Sequence, residues 1–148
     1  AGANYGTALE SALKMGETIH IPSCCYEIEE YIHGPNLQLT PQYNVIFFDG
    51  NDGASRRVEQ VYKATRKVTN RAYLISNNPQ LSRDGHVLSL SDTVSSELSP
   101  LVYLPFVQLL SFIVSNDLHS IYQHPLLKEF KAIAAAKTEN FVNYDGDD

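Results

Sequence analysis

The sequence has little cysteine, and the two cysteines that it has are neighbours. Cys24 and Cys25 stand side by side in a chain of 148 residues. A disulfide between adjacent residues is badly strained. Two adjacent thiols without partners at ligand spacing also do not form a zinc site. We therefore expect no metal site, two reduced thiols packed as small apolar residues, and a cytosolic protein.

The sequence also lacks an excess of positive charge, a long apolar run and a leader. Its net charge is -6 and its pI about 5.3, so binding to nucleic acid through phosphate neutralisation is not expected. No apolar run approaches the roughly 20 residues of a membrane span. The first residues, AGANYGTALE, have neither the charged start nor the apolar core of a signal peptide. The length and the 43% hydrophobic content suit one domain, residues 1–148.

Hydrophobic periodicity predicts alternating helices and strands. A first helix is expected over Gly6–His20, with an apolar side and with Glu10, Lys14 and Glu17 on one stripe. The predicted apolar side consists of Ala8, Leu9, Ala12, Leu13, Met15 and Ile19. A short helix is expected from the His-Gly-Pro segment towards Leu39.

Three strands and three further helices complete the prediction. The strands are expected over residues 44–50, 72–77 and 86–92. An amphipathic helix over residues 54–70 should bury Val58, Val61, Tyr62, Thr65 and Val68. A long apolar helix should follow the segment SDTVSSELSP and contain Pro105, and a last helix should cover the tail to Phe141.

This alternation predicts a parallel, doubly wound α/β sheet. An α/β unit normally enters its first helix from a strand, whereas this chain starts one turn before a helix. We therefore expect that the first strand is missing, that the chain is part of a longer protein, and that the sheet has an open edge.

Three motifs resemble the sugar isomerase (SIS) family of phosphosugar-binding proteins. They are ALESALKMGE (8–17), EYIHGPNLQL (30–39) and AAAKTE (134–139), and sixteen residues separate Glu17 from His33. The likeness is greatest to the second SIS half of glucosamine-6-phosphate synthases and of fructosamine-6-phosphate deglycases. It implies a three-layer, flavodoxin-like α/β/α fold, and a missing N-terminal SIS half.

The resemblance also implies roles for individual residues. Glu17 is similar to the carboxylate that shuttles a proton between C1 and C2 of the open-chain sugar, and His33 to a ring-opening histidine that reaches into the neighbouring subunit. A homodimer with a shared active site is implied. Lys14, with Glu10 beside it, is similar to a substrate-binding group, and Lys137 to a lysine that forms a Schiff base with a keto sugar. No cofactor is implied.

Each of these residues also has a simpler interpretation. Glu10, Lys14 and Glu17 are typical of an ordinary salt-bridged helix surface. His33 could cap a helix with Glu30 orienting its ring, and Lys137 could be a solvated lysine. The family's Ser/Thr-rich phosphate loop is not found in its usual context, because SDTVSSELSP follows the third strand.

Two functions follow from this, an enzyme and a sensor. The enzyme would be an isomerase or a deglycase acting on a phosphorylated sugar or a sugar–amine conjugate, and the acidic segment EIEEYIHGP favours the deglycase over the synthase. The alternative is a sugar-phosphate-sensing module without catalysis.

Overall fold

A computed structural model describes residues 2–89, 94–120 and 133. Four α-helices and three β-strands lie in these ranges, together with short 3-10 segments at Gly2–Asn4, Pro35–Gln38 and Pro79–Leu81. The helices are α1 (Tyr5–Ile19), α2 (Ile28–Ile32), α3 (Ser55–Thr65) and α4 (Ser99–Asp117), and the strands are β1 (Val45–Phe48), β2 (Ala72–Ser76) and β3 (Val87–Ser89).

The strands form one parallel sheet with the order β1-β2-β3. Phe47 pairs with Leu74 in the register of β1 and β2, and Leu74 pairs with Val87 in that of β2 and β3. Helices cover both faces of the sheet, which gives three layers, α/β/α. The predicted parallel α/β fold is therefore confirmed. Within the described residues no strand precedes α1.

One face of the sheet packs against α2 and α3. Tyr31, Phe47 and Tyr62 meet edge to face, with centroids 5.8 and 6.1 Å apart. This cluster also buries Ile28, Val58, Val61, Ala72 and Leu74. Burial of large aromatic and aliphatic side chains supplies most of the stabilisation of such a layer.

The other face packs against α4, and α1 lies beside α4. Tyr103 and Val107 of α4 are fully buried against Phe48 and Ile75. Contacts join Asn4 to Ser99 at the start of the two helices and Thr18 to Ser120 at their ends. Since both pairs advance in the same direction, α1 and α4 run parallel.

The hydrophobic pattern was right about Val58, Val61, Tyr62 and Thr65 of α3, which are buried, but wrong about other side chains that it placed inward. Leu9 and Leu13 of α1 are about half exposed, although the periodicity placed them on the buried side, and Val68 beyond α3 is also exposed. The positions buried in α1 are instead Thr7 and Ser11. Helix α1 lies along α4, with contacts at Asn4, Met15 and Thr18, so the covered side of α1 depends on this packing and not on its leucines.

Two further expectations need correction: that no apolar segment approaches the length of a membrane span, and that both cysteines are packed in the core. By length and composition α4 is long and apolar enough to cross a membrane, whereas no apolar run of that length was expected from the sequence. Pro105 lies inside this helix. Both thiols are free as expected, but Cys24 is exposed and is not a core residue.

The segment around the His-Gly-Pro motif contains two short helices where one was expected. Helix α2 ends at Ile32, before the motif, and a 3-10 turn covers Pro35–Gln38. Residues 90–93, which include the predicted end of the third strand, lie outside the described residues. So do the predicted tail helix and Lys137.

Candidate functional site

The stripe of charges on α1 is a connected ion-pair chain. Lys14 Nζ donates a hydrogen bond to Glu17 Oε2 at 2.8 Å and lies 3.5 Å from Glu10 Oε1. The hydrogen bond to Glu17 and its negative charge, with a smaller contribution from Glu10, raise the pKa of Lys14 above its ordinary value. The Glu17 side chain is 50% exposed. Lys14 can therefore hold the Glu17 carboxylate in place while the carboxylate stays accessible.

His33 lies where α2 ends, and its position is fixed by local capping. Glu27 begins α2 with a capping box: its carboxylate accepts from Glu29 N at 2.7 Å, and Glu30 Oε2 accepts from Glu27 N at 3.2 Å. His33 N donates to Glu30 O, and Gly34 and Pro35 then redirect the chain. The His33 ring is exposed. Glu30 thus bonds the backbone of Glu27, and the expectation that it orients the imidazole is not met.

Hydrogen bonds and an ion pair hold the side chains of the glutamates that precede His33. Arg57 Nε donates to Glu29 Oε1 at 2.7 Å, and Arg57 Nη2 donates to Glu29 Oε2 at 3.1 Å. This hydrogen bonding by Arg57, together with its charge and that of His33, lowers the pKa of Glu29. Much of the predicted acidic surface is therefore neutralised or used in capping.

Helices α1 and α2 belong to opposite layers of the sheet. Glu17 lies on the layer of α1 and α4, and His33 follows α2 in the layer of α2 and α3. Among the described residues no hydrogen bond or ion pair joins Glu17 to His33. Lys137 lies outside the described residues. The structure thus brings Glu10, Lys14 and Glu17 together but places His33 apart from them.

A second group of polar residues, which the sequence analysis missed, is buried at the carboxyl ends of the strands. Asp49 follows β1, and its Oδ2 accepts from Ser76 Oγ at 2.7 Å while its main-chain oxygen accepts from Tyr103 OH at 2.7 Å. Asn4 Nδ2 donates to Ser99 Oγ at 2.6 Å. We call this group the carboxyl-edge cluster, and its members are Asn4, Asp49, Ser76, Asn77, Ser99 and Tyr103.

Every member of the carboxyl-edge cluster is at most 2% exposed. Even so, Asn4 Oδ1 and both amide atoms of Asn77 have no hydrogen-bond partner. Burying such atoms unpaired costs about 1–3 kcal/mol per group. Gly50 allows the close packing here, because a Cβ on it would lie 3.1 Å from Asn4 Nδ2. Polar residues directly after two apolar strands were the available signal, since the carboxyl edge of a parallel sheet is the usual place for a site.

An open cavity of about 360 Å³ lies at the end of α3. It is lined by three cations, Lys63, Arg66 and Lys67, together with Tyr62 and Asp84. Tyr62 OH donates to Asp84 Oδ2 at 2.8 Å. The cations also complement the partial negative charge of the helix C-terminus, so the cavity has a structural explanation. In the described part of the chain no three His, Cys, Asp or Glu side chains group as metal ligands.

Two solved structures have a fold similar to that of this chain. No protein-family model and no curated protein matches the chain. A solved structure of a "putative phosphosugar isomerase" from Clostridium difficile 630 matches with a TM-score of 0.71 and 23% identity over 93% of this chain. A "putative sugar binding protein" from Salmonella typhimurium LT2 matches with a TM-score of 0.62 and 28% identity over 74% of this chain.

The chain is much shorter than these neighbours. It spans 38% of the Clostridium chain and 33% of the Salmonella chain. The fold of the described residues is thus the α/β fold of the phosphosugar isomerase neighbour, as the resemblance implied. The likeness to synthases or deglycases remains a prediction.

Proposed function

We propose that this chain is a phosphosugar-binding SIS unit that contributes catalytic residues to aldose–ketose isomerisation or to deglycation of an amino-sugar phosphate. The observation that supports this most is the carboxylate of Glu17, which Lys14 holds by a 2.8 Å hydrogen bond at the accessible end of α1. The fold shared with a protein described as a phosphosugar isomerase is consistent with it.

In this proposal Glu17 is the base that moves one proton between neighbouring carbons. The carboxylate takes the proton from C2 of the open-chain aldose, negative charge develops on O1, and the protonated Glu17 returns the proton to C1 while the O2 hydroxyl proton moves to O1. The Lys14 ammonium group beside Glu17 stabilises the developing oxyanion. Glu10 fixes Lys14 from the other side. A positioned carboxylate of this kind contributes about 10²–10⁴-fold to the rate.

His33 is proposed to open the sugar ring, and Lys137 to form a Schiff base with the keto sugar. Because α1 and α2 lie on opposite faces of the sheet, His33 would act on the Glu17 site of a second subunit. Imidazole suits ring opening because it exchanges protons near neutral pH. Deglycation would use the same proton transfer on a sugar that carries an amine. A further SIS half, which the resemblance implies, would supply the phosphate-binding loop.

The test is turnover of fructose-6-phosphate and of a fructosamine-6-phosphate by the full-length protein, in its wild-type form and as Glu17→Gln. We expect Glu17→Gln to lower kcat by about 100-fold or more while substrate binding changes little. Glu59→Gln is the matched control, because Glu59 also pairs with a lysine one turn away on a helix. Undiminished turnover by Glu17→Gln would remove the assignment of Glu17.

A sugar-sensing module is the second candidate, and one observation favours it: the Salmonella neighbour is described only as sugar-binding. A sensor binds the sugar phosphate without consuming it. If calorimetry shows binding of fructose-6-phosphate by the wild-type protein while no product forms with either substrate, the sensor replaces the enzyme.

A further inference from the structure

Positive charge is concentrated in one segment of this acidic chain. The chain has 11 lysines and arginines, and six of them lie in residues 56–71, which include most of α3 and contain a single carboxylate, that of Glu59. These six are Arg56, Arg57, Lys63, Arg66, Lys67 and Arg71. The remaining residues are therefore more acidic than the net charge of -6 suggests. A local excess of cations on such a chain attracts anions to one part of its surface.

Ion pairs neutralise part of this segment but not its end. Arg57 is paired with Glu29, and Lys63 with a glutamate one turn before it. Among the residues that the structure describes, no carboxylate forms an ion pair with Arg66 or Lys67. The charge that is left to attract an anion therefore lies where α3 ends.

The two unpaired cations line the open cavity at the end of α3. Its volume is about 360 Å³, and Arg66 and Lys67 form its wall together with Lys63, Tyr62 and Asp84. Sites for small molecules measure about 300–1,000 Å³, so a cavity of this size suits a compact ligand. Tyr62 is 1% exposed, and the part of the wall that it forms is therefore fixed in the hydrophobic core.

The dipole of α3 accounts for only part of this cationic wall. The C-terminus of a helix carries about half a negative charge, and its effect falls off within the last turn. Lys63 is the basic residue of the last turn of α3, whereas Arg66 and Lys67 follow Thr65, its last residue. Lys63 therefore suffices to complement the helix, and two further cations are available to an anion.

Asp84 adds a hydrogen-bond acceptor to the wall of the cavity. Its Oδ1 accepts from His86 N at 2.9 Å, and its Oδ2 accepts from Tyr62 OH at 2.8 Å. The hydrogen bond from His86 N, then that from Tyr62, and the charges of His86 and Arg66 lower the pKa of Asp84. Its carboxylate is therefore ionised at neutral pH. Each carboxylate oxygen has a second acceptor position, to which a hydroxyl group of a ligand can donate.

A phosphate monoester that also carries hydroxyl groups matches this wall. A phosphate group carries about 1.5 to 2 negative charges at pH 7, which suits two unpaired cations better than the single charge of a carboxylate does. The planar guanidinium group of Arg66 can donate to phosphate oxygens, and the ammonium group of Lys67 adds a point charge. A hydroxyl group on the rest of the ligand can donate to Asp84. Nucleic acid presents rows of phosphates and is bound by larger basic surfaces than this one.

We propose that the cavity at the end of α3 binds a small, hydroxylated phosphate monoester, with Arg66 and Lys67 on the phosphate group and Asp84 on a hydroxyl group. The cavity lies in the layer of α2 and α3, across the sheet from Glu17. It is therefore a second binding site, separate from the catalytic group of the proposed function, and it does not depend on that function. The ligand binds there without a chemical step.

The experiment is calorimetric titration of the full-length protein with inorganic phosphate and with glycerol 3-phosphate, which carries hydroxyl groups but no carbonyl group to isomerise. We expect Arg66→Gln and Lys67→Gln each to weaken the binding of glycerol 3-phosphate about tenfold, because each removes a hydrogen bond between charged groups. Arg56→Gln is the matched control, since it removes the same charge near the start of α3, about 15 Å from Arg66 along the helix. It should bind like the wild type. Phosphate binding elsewhere in the full-length protein is common to all the variants, so their comparison isolates the cavity.

Asp84→Asn distinguishes recognition of a hydroxyl group from simple attraction of charge. The variant keeps an oxygen that can accept from Tyr62 but removes a negative charge from the wall. Inorganic phosphate should therefore bind more tightly than to the wild type, while the preference for glycerol 3-phosphate over inorganic phosphate becomes smaller. If both ligands gain affinity by the same factor, Asp84 does not contact a hydroxyl group and the proposed ligand class is wrong.

Three further results would overturn the proposal. The titrations of Arg66→Gln and Lys67→Gln could coincide with that of the wild type. Arg56→Gln could weaken binding as much as Lys67→Gln does, which would indicate an effect of net charge and not a site. A poly-glutamate peptide could bind and depend on Arg56 as much as on Lys67, which would assign this surface to an acidic protein. Glu17→Gln should bind glycerol 3-phosphate at the cavity like the wild type, so a failure of the proposed function is distinguishable from a failure of this site.

Discussion

Tyr62 shows at the scale of one residue how burial changes ionisation. Its hydroxyl group is buried and donates to Asp84 at 2.8 Å. Burial, and then the hydrogen bond and the negative charge of Asp84, raise the pKa of Tyr62 to about 12. The folded protein therefore holds this proton more tightly than the unfolded chain does, where the pKa is about 10. This contribution to stability is complete below about pH 10 and is lost as the pH rises through about 12.

We predict that Tyr62→Phe lowers the free energy of unfolding by about 1 kcal/mol at neutral pH. The difference from wild type should shrink as the pH is raised above about 10, because the wild type then loses the contribution that the variant lacks. Urea unfolding at several pH values measures this. Tyr103→Phe should behave similarly, since burial and the charge of Asp49 raise the pKa of Tyr103 to about 12. A constant difference between Tyr62→Phe and wild type at every pH would contradict the argument.

At the scale of one residue, sequence reasoning also identified Glu10, Lys14 and Glu17 correctly as neighbours. Their spacing fixes that arrangement in any helix. It could not identify Asn4 and Ser99 as buried partners, because their proximity depends on the packing of α1 and α4 against the sheet. Asn4 and Ser99 are 95 positions apart and yet are joined by a hydrogen bond.

At the scale of elements, the type and order of α1, α3, α4 and the three strands were predictable, but α2 and the buried sides of α1 and α4 were not. Leu9 and Leu13 have the spacing of core residues, and periodicity reports an apolar stripe without reporting what covers it. In α1 the stripe is exposed. The spacing of leucines alone therefore does not identify the side of a helix that the rest of the chain covers.

Helix α2 is only about one and a half turns long, and its stability depends on the hydrogen bonds that cap its start. It contains five residues, Ile28–Ile32, and the Glu27 carboxylate accepts from Glu29 N at its start. We predict that Glu27→Ala lowers the free energy of unfolding by about 0.5–1 kcal/mol, because backbone donors at the start of α2 lose their partner. Denaturant unfolding measures the change.

The control for this prediction is Glu29→Ala. Glu29 contributes a side chain to an exposed ion pair with Arg57, and exposed ion pairs contribute little to stability because water and salt screen them. Its substitution should therefore cost less than that of Glu27, and added salt should reduce the cost further. If Glu29→Ala destabilises more than Glu27→Ala, the ion pair and not the cap fixes the position of α2 and of His33.

At the scale of the whole molecule, the two hydrophobic clusters share one sheet. Phe47 and Leu74 face α2 and α3, whereas their chain neighbours Phe48 and Ile75 face α4. Side chains of a strand alternate between faces, so each strand ties the two layers together. The layers should therefore unfold together rather than one after the other.

We predict that Leu74→Ala lowers the free energy of unfolding by about 2–5 kcal/mol, because Leu74 is fully buried and its removal leaves a cavity. The loss should appear at the same denaturant concentration in far-UV circular dichroism, which reports helices of both layers, and in tyrosine fluorescence. Tyr62 lies in one layer and Tyr103 in the other, so the fluorescence also samples both. Separate transitions would show that the two layers unfold independently, since coincidence of probes is the test of a single cooperative unit.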